Sequence, residues 1–146
     1  MSTPNRKNTR SALTALLETA LVNGNLCQAV YGYQPSDFGG KSPVATVSSA
    51  GSMRGKQNRG IDKNEFYFNV HVFALYSDGA SWNEDDAENA IDDIEAAVSR
   101  VVSINTTTNN WANIVITERT IADSVEIGGI EYRREVIPVQ VTVFGK

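Results

Sequence analysis

The chain has 146 residues, 41% of them apolar, with one Cys (Cys27) and one His (His71). A chain of this length buries enough surface to fold without a staple, and these counts exclude an intramolecular disulfide and a Zn site built from Cys and His. The net charge of −4 is unevenly spread: residues 1–63 carry 8 basic and 3 acidic side chains, residues 64–146 carry 5 and 14.

Residues 1–8 are polar, contain Pro4 and read as an arm. They lead into no hydrophobic run, and no apolar stretch reaches bilayer length, so neither a secretory leader nor a membrane segment is expected. A soluble protein of a reducing compartment is the expectation. The spacing of Leu13, Leu16, Leu17, Ala20 and Leu21 predicts a helix over Thr9–Asn23, with one apolar stripe. Gly24 suits its end.

Leu26–Tyr33 reads as a first strand, closed by the Pro- and Gly-rich QPSDFGGKSP. Pro43–Ser49 reads as a second. The polar stretch 49–64 reads as a long loop with four cations, Arg54, Lys56, Arg59 and Lys63. Such loops are uncommon in compact folds unless functional or disordered. Glu65–Ser77 reads as the strongest strand, with Phe66, Phe68, Val70, Val72, Ala74 and Tyr76 on one face and the mixed set Tyr67, Asn69, His71, Phe73 and Leu75 on the other.

Ser81-Trp82-Asn83-Glu84 reads as a capping box opening a helix over Trp82–Ser103. Ala87, Ile91, Ile94, Val98 and Val101 form its apolar arc. Glu84, Asp85, Glu88, Asp92 and Glu95 form the opposite, acidic arc. The exit loop is 105–110. Trp111–Ile121 and Ile130–Phe144 read as the last strands, the second entered through a hairpin at Gly128-Gly129. Pro138 has no N–H for a ladder and predicts an edge or a bulge there. The order α-β-β-β-α-β-β predicts an α+β domain spanning 1–146, an antiparallel or mixed sheet with both helices on one face.

Few residues suggest chemistry. Ala50–Gln57 approaches a phosphate loop, but Ala50 and Gln57 stand where the turn needs Gly and the Mg²⁺ ligand needs Ser or Thr. His71 lies mid-strand, without an evident acid or nucleophile, and reads as a packed histidine. Cys27 reads as a small hydrophobe. Asn105-Thr106-Thr107 fits a glycosylation sequon, with no leader to support it. The acidic arc spreads its carboxylates along one helix instead of converging them on Mg²⁺ or Ca²⁺. No catalytic residue, metal or cofactor is expected. The loop cations Arg54, Lys56, Arg59 and Lys63 could grip DNA phosphate or a neighbouring subunit's Glu84, Asp85, Glu88, Asp92 and Glu95.

The chain resembles the tail terminator proteins of long-tailed bacteriophages. The resemblance rests on its size, the opening helix TRSALTALLETALVNG, and the polar stretch before EFYFNVHVFALYS. The acidic helix NEDDAENAIDDIEAAVSRVVS and the closing ITERTIADSVEIGGIEYRREVIPVQVTVFG complete it. It implies an α+β subunit of a hexameric ring that caps the tail tube and ends its polymerisation. It further implies a joining surface for head-completion or stopper proteins, DNA passing through the lumen without sequence recognition, and no chemistry. The place implied is the tail and neck of a virion, assembled in the host cytoplasm, with no membrane. The alternatives are another head–tail joining protein, and a small enzyme or ligand-binding protein using His71, Tyr67 or the acidic helix.

Overall fold

Residues 3–58, 60–77 and 82–145 are described by the computed structural model. They form α1 (Arg6–Leu21), β1 (Ala29–Tyr31), β2 (Val44–Asn58), β3 (Ile61–Leu75), α2 (Glu84–Ile104), β4 (Asn113–Ile116), β5 (Ile121–Ile127) and β6 (Ile130–Gly145). All six strands belong to one sheet in the order β1-β2-β3-β6-β4, with β5 also paired to β6. β1 runs parallel to β2, and the other pairings are antiparallel. The class is α+β with a mixed sheet, as the element pattern predicts.

Both helices lie on one face of the sheet. Leu13, Leu17 and Leu21 of α1 and Ile91, Ile94 and Val98 of α2 are essentially fully buried. They meet Phe66, Phe68, Val70 and Val72 of β3 and Ile137, Val139 and Val141 of β6. These strand residues alternate with side chains aimed at the other face, so one register decides which set is buried. The helices run in opposite directions. α1 begins beside the far end of β2 and ends where Cys27 N–H donates to the Leu21 carbonyl. α2 begins beside the C-terminal end of β3, where Trp82 Nε1 donates to the Leu75 carbonyl.

The opposite face is covered at one end only. There Phe38, from the connection between β1 and β2, packs on Val44, Phe73 and Tyr132. Its ring centroid lies 5.0 Å from that of Phe73 and 5.2 Å from that of Tyr132. Gly128 and Gly129 turn between β5 and β6 at φ of 59° and 80°, the positive values that a tight hairpin needs and side chains resist. A Cβ on Gly128 would also come 2.8 Å from Asp37 Cβ, so this turn seats against the same connection.

Several expectations change. The arm ends at Asn5, whose side chain accepts from Lys7 N–H at 2.8 Å and starts α1 three residues early. The second cap is Asn83, paired reciprocally with Asp86. Ser81 lies outside the described residues. The first strand shrinks to three residues, and Trp111–Ile121 is mostly not one strand: β4 and β5 are separate, side by side along β6. β6 is therefore central, and Pro138 is not at an edge. It sits between the two registers, where its carbonyl accepts from Thr117 N–H at 3.1 Å. Its missing N–H points into that gap, so no ladder bond is lost.

The largest change concerns 49–64. This stretch is no loop but the outer half of the β2–β3 hairpin, paired from Ser49 opposite Phe68 to Asn58 opposite Ile61. Register shifts at Ala50, a bulge where Gly51 adopts φ 135°. Gly60 at φ 68° serves the turn. Ladder bonds to β3 hold this strand in place of a buried apolar face.

Replacing Ile94 by Ala should destabilise the fold by about 2–5 kcal/mol, since the side chain is fully buried between helix and sheet. Urea unfolding measures it, and a loss under about 1 kcal/mol would contradict the packing described.

Candidate functional site

Among the described residues, the hairpin cations Arg54, Lys56 and Lys63 are tied to their own chain. Lys56 lies 3.3 Å from Asp62 across the hairpin, and Lys63 lies 3.5 Å from Glu65. Both pairs reach solvent and contribute little to stability. Arg54 is held more firmly. Its Nη1 donates to the Pro4 carbonyl at 3.1 Å and to Asn64 Oδ1 at 3.0 Å, and its guanidinium lies 5.0 Å from the centroid of the Phe66 ring. Arg59 lies outside the described residues. β1 covers only the first three residues of β2, and no other strand among the described residues pairs with the rest of that edge. Cations and a bulge on an open edge discourage pairing with another strand.

Arg54 joins a cluster that spacing alone does not reveal. Arg6 Nη1 donates to Ser52 Oγ at 2.9 Å, and Arg10 Nη1 donates to Ser49 Oγ at 2.8 Å. Both bonds bridge α1 to β2. With Lys7, these arginines line an open cleft of about 670 Å³ at the start of α1. Arg6 and Arg54 are 48 positions apart, so no local pattern unites them. The one available signal is the basic residues of MSTPNRKNTR, of which Arg6 and Lys7 fall in the expected arm and Arg10 in the expected helix.

The acidic residues of α2 stand along its outer side. Glu84, Asp85 and Asp92 are exposed, while Glu88 and Glu95 are half-buried. Arg133 Nε lies 2.7 Å from Glu88 Oε1, so the intrachain partner of this arc comes from β6 and not from the hairpin. Ser99 Oγ donates to Glu95 at 2.8 Å. Glu135, buried beneath the helix, has its carboxyl pushed above the usual range by burial and by Glu95 and Asp92. Among the described residues, no three His, Cys, Asp or Glu side chains gather as a metal site would need.

His71 lies on the face away from the helices, stacked on Phe73 at 6.0 Å. Its Nδ1 is buried and finds no hydrogen-bond partner among the described residues. Burial and the nearby Arg134 charge hold its pKa below 6.5, against the opposing pull of Asp123. A general base needs an orienting acid or a proton donor within reach. Asp123 is instead gripped by Arg134, which donates from Nε at 2.9 Å and from Nη2 at 2.6 Å. That pairing holds the Asp123 carboxyl below its usual range. Tyr67 donates to Glu65 at 2.9 Å, and Gln140 donates to the same oxygen at 3.0 Å. The bond to Glu65 raises the Tyr67 pKa by favouring the protonated phenol. Burial pushes the Cys27 thiol up to about 12, which makes it a poor nucleophile. Residues 50–57 lie within β2, so the near-match to a phosphate loop forms no loop. Asn105 caps α2, its Nδ2 donating to the Val101 carbonyl at 2.9 Å.

No protein-family model matches the chain, and no curated relative matches it in sequence. Its fold is similar to that of a chain in a solved structure of the virion of a native gene transfer agent particle. The superposition has a TM-score of 0.50 at 16% identity and covers 92% of this chain and 86% of that one. At that identity the likeness establishes a shared fold.

Because its folded-state pKa is lowered from 6.5, His71 should make the fold lose stability as pH falls below about 6.5, where the unfolded chain takes up the proton first. Unfolding free energies of wild type and His71→Gln, measured from about pH 8 to about pH 5, should diverge in that direction. Parallel curves would contradict the account of this side chain.

Proposed function

We propose that the protein is a virion structural component, and within that class a tail terminator of a phage-like particle. In this reading one domain, residues 1–146, is the subunit of a hexameric ring. The ring caps the tail tube, ends its polymerisation and offers a joining surface to the head-completion or stopper protein. DNA passes through its lumen without sequence recognition. Assembly takes place in the host cytoplasm, and the finished protein sits at the junction of tail and neck. No catalytic step, metal or cofactor belongs to the reading.

The observation that carries it is the fold shared with a gene transfer agent virion chain over 92% of this sequence. The uncovered face of the sheet supports it. Met53, Val115, Ile121 and Phe144 all register on that face and are between 42% and 61% exposed. Exposed apolar residues gathered on one face suit a surface that is covered on assembly. The basic cleft and the exposed acids of α2 add two further charged surfaces.

Negative-stain imaging of the purified protein, alone and with tail tubes of its own particle, tests the proposal. The expected result is rings of uniform diameter, each seated on one end of a tube, and arrest of tube growth when the protein is added. Rings that leave tube ends bare and bind the head instead would assign it to another joining step. Protein that stays monomeric and binds neither structure would remove the virion reading.

A further inference from the structure

The cleft at the start of α1 holds four cations and no acid. Its three guanidiniums are positioned by neutral oxygens, those of Ser52, Ser49, Pro4 and Asn64. Among the described residues, no carboxylate lies within the 4.0 Å of an ion pair from Arg6, Lys7, Arg10 or Arg54. The first turn of α1 contains no acidic residue. The aligned backbone N–H groups make that end positive, so acids stabilise it and cations do not. α2 follows the rule with Glu84, Asp85 and Asp86 in its first turn. α1 reverses it. Its fold keeps a concentration of positive charge that nothing within the described chain neutralises.

The matching charge lies elsewhere on the molecule. Residues 84–95 contain seven acids and no base. Glu84, Asp85, Asp92 and Asp93 are exposed. The helix dipole accounts for the first turn of acids but not for Asp92 and Asp93, which lie beyond its reach. Arg54 stacks over Phe66, whereas α2 begins beside Leu75, where Trp82 bonds to its carbonyl. The nine steps of strand between those two residues span about 30 Å at roughly 3.3 Å each. The cleft and the start of the acidic face cannot touch within one molecule.

We infer that the basic cleft of one copy receives the acidic face of α2 from a second copy, head to tail. Two different patches, the cleft at one end and an acidic face that starts at the other, make a heterologous contact, which closes into a ring when the rotation per subunit permits. Nucleic acid fits the cleft less well. A net charge of −4 opposes the approach of a polyanion, and the cleft lining offers no aromatic side chain to a base. The contact gives the proposed ring its subunit interface, and it rests on the virion reading only for where that ring is used.

Two reversal variants of the full chain test it. One carries Arg6→Glu, Lys7→Glu and Arg10→Glu; the other carries Glu84→Lys, Asp85→Lys, Asp92→Lys and Asp93→Lys. Sedimentation velocity should find the wild type assembled, with its mass falling as salt is raised. Each variant alone should associate more weakly by about tenfold or more, because like charges then face each other. An equimolar mixture should recover assembly, since each variant's cleft now matches the other's helix. Circular dichroism checks the fold of both. If loss of the two serine bonds unfolds the first variant, Lys7→Glu alone decides, with weaker association at an unchanged melting temperature. A monomeric wild type, reversal variants of unchanged mass, or a mixture that stays dissociated would overturn the inference. So would loss of binding to duplex DNA at unchanged mass, which would give the cleft to nucleic acid. Rings that form through these faces yet ignore tail tubes would keep the contact and remove the terminator reading.

Discussion

β3 and β6 pair along fourteen register positions, from Asp62 opposite Gly145 to Leu75 opposite Tyr132. Every other element depends on that ladder. β2 extends it on one side, and β4 and β5 share the other. Both helices bury their apolar stripes on the side chains that the ladder turns to one face. A one-residue slip would send Phe66, Phe68, Val70 and Val72 to the opposite face and leave α1 and α2 without a floor. Continuous pairing also fixes the length of the molecule. The basic cleft lies over one end of the ladder and the acidic start of α2 over the other. Separation of charge is thus a consequence of strand length.

The two faces of the sheet carry different work. The helix face is closed and apolar. The other is capped at one end by Phe38 and otherwise presents a mixture, with the Glu65–Tyr67–Gln140 bonds beside Met53 and Phe144. An antiparallel sheet tolerates such a face in water. In the proposed assembly it is a surface available for covering. His71, the residue a catalytic reading would favour, belongs to this face, but its nearest charged neighbours are engaged with each other.

Much of the fold was legible because its signals are local. Leu13, Leu17 and Leu21 announce a helix by spacing, as do Ile91, Ile94 and Val98, and the alternation from Phe66 to Ala74 announces a buried strand. The polar hairpin was not legible. Ser49 to Asn64 has no apolar alternation, because that stretch of β2 is held by backbone pairing and by Arg6, Arg10 and Arg54, and strand signals read burial instead of ladder bonds. The break between β4 and β5 was hidden for a related reason: both segments pair with one long partner. Pro138 looked like an edge marker because a sequence cannot reveal a gap between two neighbouring strands. The acidic half of the candidate surface was legible as an arc on one helix. The basic half was legible only as charged residues, since the cleft unites residue 6 with residue 54 through the fold.

In the proposed assembly the charges at the two ends of this ladder are satisfied between molecules. Zero-length carbodiimide cross-linking of an equal mixture of unlabelled and ¹⁵N-labelled protein tests it most directly. Lys7 should join to acids of α2, at Glu84, Asp85, Asp92 or Asp93, and the linked peptides should include pairs of mixed isotope. Links from Lys7 found only in same-isotope pairs would contradict the account, as would an absence of such links while Lys56 still joins to Asp62.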